Sequence, residues 1–383
     1  MTQRTYKLKE FAQDISVAIK DAQYSALDKF VGLEHYDSGE PVTTRYTDTS
    51  LLSSSVKEFK ANDILIARRN VYLKRAGIAF FSGLTSGDSI VLRIYEDCEA
   101  RTGIPKEDAV RIIPFVLNSN AFWAYANKHA DGMNSKRISK KMLYAYEFDL
   151  PPLAEQRVLA DKLWAAYRLK ESYKKLLAAT DEMVKSQFIE MFGNCQQVEK
   201  LSSLCDTFID GDWIESKDQS DEGIRLVQTG NVGNGFFKGK EDKCRFISDE
   251  TFDRLHCTEI FSGDILVSRL PDPIGRACMI PNGLGRTITA VDCSIIRLKE
   301  SILADFFIAY TMTPNYSAQI NEVTTGTTRR RVSRANLGNV KVPVPQIDKQ
   351  KQFVSIAEQA DKSKLTGHCL ICVLNKGISK LIN

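Results

Sequence analysis

Residues 324–334 read TTGTTRRRVSR: Arg329, Arg330, Arg331 and Arg334 among hydroxyl side chains, with no acid. Residues 128–141 read KHADGMNSKRISKK and set Lys128, Lys136, Arg137, Lys140 and Lys141 against the single Asp131. The chemistry open to such residues is binding, not bond-making. A guanidinium is a planar fork that fits two phosphate oxygens or the edge of a guanine. Hydroxyls such as Thr327, Thr328, Ser139 and Ser333, and N–H groups following a glycine, reach phosphate at close range. Either run alone could equally be a solvated charged face.

Further binding candidates flank short apolar runs. Arg68, Arg69, Asn70, Lys74 and Arg75 follow ANDILIA, and Arg269 and Arg276 follow SGDILVS. The stretch RLVQTGNVGNGFFKG (225–239) offers Thr229, Asn231 and Asn234 between glycines, a pattern able to present N–H groups to phosphates and amides to base edges. It lacks the G-x-G-x-x-G spacing of a dinucleotide fingerprint, and a structural hairpin is the competing reading.

Bond-making chemistry finds little support. No G-x-x-x-x-G-K-[ST] occurs, since Gly239-Lys240 is followed by Glu241. Pro151-Pro152 follows Leu150, which excludes the Asn/Asp-Pro-Pro-aromatic motif of amino-methylation. Asp210, Asp212, Glu215 and Lys217 in DGDWIESK imitate a nuclease D…E-x-K set, but that pattern is short, and a domain start with Trp213 packed explains it as well. His368, Cys369 and Cys372 form half a zinc site with no second pair at matching spacing, so an apolar helix face is the expectation there. No catalytic and no metal-binding residue is assigned.

The elements that must position the basic loops come in two copies. At an offset of 194 residues, GMNSKRISKKMLYAYEFDLP (132–151) matches GTTRRRVSRANLGNVKVPVP (326–345) at Gly132/Gly326, Arg137/Arg331, Ser139/Ser333, Leu143/Leu337 and Pro151/Pro345. Gln156 falls on Gln350 and Ala166 on Ala360; upstream, ANDILIARR (61–69) matches SGDILVSRL (262–270) at an offset of 201. Ordered blocks at such a period indicate duplication of a whole domain with its connector, not a solenoid. Each copy opens with short β-type runs (DILIAR, SIVLRI, DILVSR, CSIIRL) and passes a proline boundary into a long helical pattern.

The first helix is expected over 153–192. Prolines stand before it, Gly193 after it, and neither residue type within it. Leu159, Leu163, Ala166, Tyr173, Leu177 and Val184 alternate by four and three, with Lys170 and Thr180 as polar interruptions; such a stripe needs a partner. The second helical pattern, about 347–381, supplies one, although Gly367 and Gly377 weaken it. At 1.5 Å per residue, about 40 residues span roughly 60 Å. Antiparallel pairing would set the two globular regions at opposite ends about a pseudo-twofold axis. The expected class is α+β: two mixed α/β domains (1–150 and 194–345), each followed by a long helix (151–193 and 346–383).

Bulk properties agree with a soluble protein of two domains. The chain has 383 residues, 43% hydrophobic and 26% charged, with a formal charge of +4. That balance permits nucleic-acid binding without requiring it. No signal-like segment or membrane-length apolar run is visible, and nine scattered cysteines suit a reducing cytoplasm.

The plan of two domains and two long helices resembles the specificity subunit of type I restriction–modification systems. So do the junctions FDLPPLAEQRVLADKL and VKVPVPQIDKQKQFVSIAEQADK and the blocks FVGLEHYDSGEP (30–41), GIRLVQTGNVGNGFF (223–237) and GDILVSRLPDPIGRACMIP (263–281). The resemblance covers essentially the whole chain, with a departure at Pro-Gln-Ile-Asp-Lys-Gln in the second junction. It implies a non-catalytic reader of double-stranded DNA, one half of a split target per domain, with the helices setting the spacing. The helices would bind DNA methyltransferase subunits, through side chains such as Leu159, Leu163, Tyr173, Leu177, Val184, Phe353 and Ile356. Those partners would use S-adenosylmethionine on a flipped adenine, and restriction–translocase subunits would use ATP and Mg. Three other readings remain: a specificity chain for a fused type II-like restriction–methyltransferase, a stand-alone nuclease through DGDWIESK, and a coiled-coil adaptor without DNA contact.

Overall fold

The computed structural model describes residues 4–15, 17–19, 26–49, 56–133, 135–327 and 330–382. The chain divides into two units, Met1–Lys174 with His368–Asn383, and Lys175–Gly367, so each unit takes part of both long helices.

The first unit centres on an antiparallel sheet in the order Ala12–Asp14, Ser89–Ile94, Ile64–Ala67, Ala76–Ile78. DILIAR reads as a continuous apolar run because its strand is covered on both faces. Ile64 and Ile66 enter the core built with the helices, while Leu65 and Ala67 face a smaller core with Val31 and Phe59. The second sheet is ordered Ala18–Ile19, Val56–Phe59, Gly83–Ser86, Lys29–Val31, Thr47–Asp48, and its Lys29–Val31/Gly83–Ser86 pair is parallel. A ribbon joins Arg4–Lys7 to Glu147–Leu150.

The second unit repeats this plan. Its antiparallel sheet runs Cys205–Asp210, Cys293–Leu298, Ile265–Ser268, Ala277–Met279, and Leu266 opposite Cys278 reproduces the register of Leu65 opposite Gly77. Its other sheet runs Phe246–Ile247, Ile224–Val227, Thr287–Thr289, Glu259–Ile260, again with the middle pair parallel. A ribbon joins Val198–Lys200 to Lys341–Pro343. The duplication seen in sequence is therefore a duplication of topology, with one additional strand, Ala18–Ile19, in the first unit.

The long helices run Leu153–Phe192 and Ile347–Ile382. In the second unit they pair antiparallel: Leu177 meets Gly367, Asp181 meets Lys364 (2.9 Å), and Phe188 packs edge-on against Phe353. In the first unit Leu159 and Leu163 belong to the same core as Ile378 and Ile382. Two expectations need correction. Gly367 and Gly377, expected to weaken the second helix, lie inside the unbroken Ile347–Ile382. Gly367 is buried, and a Cβ there would stand 3.1 Å from Leu177 Cδ2, so the missing side chain lets the helices approach. Of the side chains offered for partner contact, Leu163, Val184 and Phe353 are buried within their own unit; Lys170, the polar interruption of the stripe, is buried against Glu40 (2.6 Å). Leu159, Tyr173, Leu177 and Ile356 are half-buried. The exposed apolar side chains of the first helix are instead Val158, Leu169, Leu176, Met183 and Ile189. Among the described residues no helix is long and apolar enough to cross a membrane.

Candidate nucleic-acid interface

Three loops converge in each unit, held by hydrogen bonds to backbone carbonyls. In the first, Asn70 N–H donates to Lys136 O (2.7 Å), and Ile138 N–H donates to Arg68 O (3.1 Å). Arg75 donates to Leu33 O (2.8 Å) and Arg69 O (3.1 Å), and Gly39 N–H donates to Lys74 O (2.7 Å). The segments 131–133 and 135–139 thus lie on the loop 68–75, which lies on 33–39. In the second unit Val332 N–H donates to Arg269 O (3.2 Å), and Arg276 donates to Thr229 O, Val232 O, Leu270 O and Pro273 O at 2.8–2.9 Å. Equivalent loops converge by equivalent bonds.

Those bonds explain most of the recurring pattern without any ligand. Gly132 and Gly326 have φ of +116° and +93°, a region that L side chains avoid, and open tight turns closed by Asp131/Arg137 and Thr325/Arg331 pairs. Ile138, Val332, Leu143 and Leu337 are buried. Ser139 and Ser333 accept the N–H of Met142 (3.3 Å) and Asn336 (3.1 Å) as helix caps. The two serines, read from sequence as phosphate ligands, recur because a short helix begins there.

Several other candidates are spent on the fold. Arg276 is buried with its guanidinium on four carbonyls, and burial lowers its pKa. Asn231 is used at both ends of its amide: Nδ2 donates to Lys238 O and Gly239 O, and Oδ1 accepts Gln228 N–H. That closes the tight turn favoured by the hairpin reading, completed by a bridge between Val232 and Phe237. Arg269 is buried and donates to Val291 O (2.6 Å). Thr229 is half-buried.

Of the sequence candidates, Lys136, Lys140, Arg330, Arg331 and Arg334 reach solvent, joined by exposed Asn234 and Thr327 and by half-exposed Arg68, Arg69, Lys74 and Arg137. Thr328 and Arg329 lie outside the described residues. Arg69 pairs with Asp88 at 2.9 Å, and Arg68 at 3.4 Å. Arg68 Nε and Asn70 Oδ1 are buried polar atoms without a hydrogen-bond partner, at the centre of the loop cluster. Native interiors rarely leave such atoms, and a bound ligand is one way to satisfy them.

Sequence reasoning missed two kinds of residue. Tyr72 and Phe236 are exposed aromatics at the tips of these loops, and Trp213, expected to be packed, is 70% exposed on the segment leaving strand Cys205–Asp210. Nothing in an aromatic residue's neighbours in sequence says whether it faces water. The other kind is acidic: Asp14 pairs with Lys140, and Asp210 with Arg269 (3.5 Å) and Arg334 (3.9 Å).

The nuclease-like carboxylates do not converge. Asp210 faces those arginines, Asp212 accepts Thr258 N–H (2.9 Å), and Glu215 pairs with Lys217 (2.9 Å). Among the described residues no group of three His, Cys, Asp or Glu side chains could hold a metal. Cys369 and Cys372 are exposed on the second long helix, not part of an apolar buried face.

Residues 196–369, nearly all of the second unit, match the family described as the Type I restriction modification DNA specificity domain. The first unit lies outside that match and repeats the topology and loop contacts of the second. Among solved structures, one from a study of complex assembly and conformational transition of the type I R-M system has a TM-score of 0.56 at 16% identity, covering 99% of this chain and 96% of that one. At that identity the likeness concerns the fold. The HsdS subunit from Thermoanaerobacter tengcongensis (TM-score 0.40, 15% identity, 99% and 95% covered) superposes more loosely. So does the type I S subunit from M. genitalium (0.49, 13%, 100% and 95%). A search of curated proteins gave no match.

Proposed function

We propose that this chain reads a bipartite DNA target, one half-site per unit, and directs partner methyltransferase and restriction subunits to it. The observation that carries the reading is the coincidence of the specificity-domain match with the unit that gathers the segments 229–240, 269–276, 324–327 and 330–334. The first unit builds the same gathering on the same topology. Exposed cations on such loops position phosphates, and polar side chains and aromatics between them meet base edges. The chain's own part is address. Methyl transfer from S-adenosylmethionine and ATP- and Mg-dependent steps fall to partner subunits, which would dock on the long helices.

Deleting the gene and mapping methylated adenines in the host genome molecule by molecule tests this: one split motif should lose its methylation. An unchanged map would refute the reading. Within that frame, replacing Arg330 or Arg331 separates two roles. If the arginine reads a base, binding should weaken by about 1–3 kcal/mol and the target should relax at one position of the second half-site. If it contacts phosphate, all sequences weaken alike and the salt slope falls by about one. Unchanged affinity and motif would remove the loop 324–334 from the interface.

A further inference from the structure

We propose that Asp14 and Asp210 are specificity-setting positioning residues, each holding a DNA-facing cation against the protein so that a generic phosphate must compete with a carboxylate for it. The proposal rests on the DNA-recognition reading above.

Each aspartate is the last residue of the edge strand that opens its unit's antiparallel sheet, Ala12–Asp14 or Cys205–Asp210. Each faces the residue that follows the capping serine, Lys140 after Ser139 and Arg334 after Ser333. The cations differ in type. They align at an offset of 194, whereas the two aspartates align at 196, so the pairing is rebuilt in space and not merely inherited in register. Both cations stay near half-exposed, at 44% of the side chain each, while Asp14 is 6% and Asp210 30% exposed. The carboxylate is thus fixed in the framework, and the cation can leave it for solvent.

Asp210 is fixed further by the Ser294 hydroxyl (3.1 Å), and it reaches the Arg269 guanidinium, whose carbonyl carries Val332. It therefore joins strand, central loop and basic loop. In the first unit Lys57 is the additional neighbour: it donates to Ser89 O (2.6 Å) and feels Asp14, Lys140, Arg68 and Asp88. A cation tied in this way contributes little to non-specific attraction. When the target's base contacts hold the loops in place, a phosphate can be set where it displaces the carboxylate. Discrimination rises at the expense of affinity for random DNA.

The test compares binding of the full chain to a duplex carrying the motif from methylation mapping and to a shuffled duplex, across a salt series. For Asp210→Asn, affinity for the shuffled duplex should rise about eightfold at 0.1 M salt. The slope of log K against log salt should steepen by about 0.9, the signature of one added phosphate contact. Target affinity should change less, so discrimination narrows. Asp14→Asn should do the same through the other unit, and Asp210→Glu should restore the wild-type ratio. In an Arg334→Gln background, Asp210→Asn should no longer raise shuffled-duplex binding, which keeps the test decisive if the single variant also shifts the loop. Unchanged or jointly weakened binding to both duplexes would overturn the proposal, leaving the aspartates as ordinary supports. Absence of salt-dependent binding by the wild-type chain to either duplex would instead sink the DNA-recognition reading itself.

Discussion

The turn preceding strand Ile64–Ala67 and the turn preceding Ile265–Ser268 are built from the same parts; the loops that follow the two strands are not. In the first unit Asp63 accepts Lys60 N–H (2.7 Å) and takes Arg93 through Nε and a terminal nitrogen (2.7 and 2.6 Å). In the second, Asp264 accepts Phe261 N–H (2.9 Å) and takes Arg297 in the same two-pronged way (2.8 and 2.9 Å). Five residues on, RRNVYLKR stands against RLPDPIGR. Three features correspond: the opening arginines, whose carbonyls carry Ile138 and Val332, the closing arginines, which bind backbone carbonyls, and the left-handed Lys74 and Gly275 beside the latter. A duplicated reader must keep its framework to fold and can vary whatever faces the target. The positions that differ between the units are therefore where sequence discrimination is to be sought.

The sharpest way to break this comparison is to remove the shared carboxylates. Asp63 is 1% exposed, and Asp63→Ala strands a guanidinium and a turn N–H, which should cost about 3 kcal/mol. Asp264→Ala should cost less, about 2 kcal/mol, because the Arg297 side chain is 35% exposed and can rehydrate. Urea unfolding followed by hydrogen exchange in each unit measures both. Losses below about 1 kcal/mol in both units would show that the pairs are surface ornaments and not framework.

This framework is also the part that could be read from sequence. Asp63/Asp264, Ile64/Ile265, the proline junctions and the helix 153–192 announced themselves through spacing, because backbone geometry fixes which residue types each position tolerates. The same recurrence does not separate site from scaffold. Ser139, Ser333, Gly132 and Gly326 recur for caps and turns, and Arg276 is needed to hold loops together, so recurrence at those positions measured architecture. Exposure of Tyr72, Phe236 and Trp213, and the meeting of Asp14 with Lys140, depend on contacts far apart in the chain. No local pattern encodes them.

The junction glutamines give a finer comparison. Gln350 donates to Pro345 O (2.8 Å) and Ser301 O (3.0 Å) and accepts Leu303 N–H (2.9 Å), locking the start of the second long helix to the loop before residues 304–311. Gln156 repeats the bond to Pro151 O (2.7 Å), while its Oε1 is buried without a partner. Gln350→Ala leaves a buried N–H and two carbonyls unsatisfied and should cost about 2–3 kcal/mol; Gln156→Ala should cost about 1. Chemical denaturation of the two variants side by side gives the difference. Equal losses would mean that the proline carbonyl bond, common to both, carries the effect.

The smallest expected effect separates the two glycines of the second long helix. Nothing lies within 4 Å of a Cβ placed on Gly377, so Gly377→Ala should gain close to the full helix-propensity difference, about 0.8–1 kcal/mol. Gly367→Ala gains the same propensity, but its methyl would sit 3.1 Å from Leu177 Cδ2, and the buried contact must open by a few tenths of an ångström. Overpacking of that size offsets the gain and should leave the variant neutral or weakened. Hydrogen exchange along residues 347–382 distinguishes them: protection should rise around Gly377 in the one and fall or hold around Gly367 in the other. If both alanines raise protection equally, the close approach at Gly367 is incidental and the helix pair tolerates a wider separation. If only Gly377→Ala does, one glycine is there to let two helices touch, and the other faces open space.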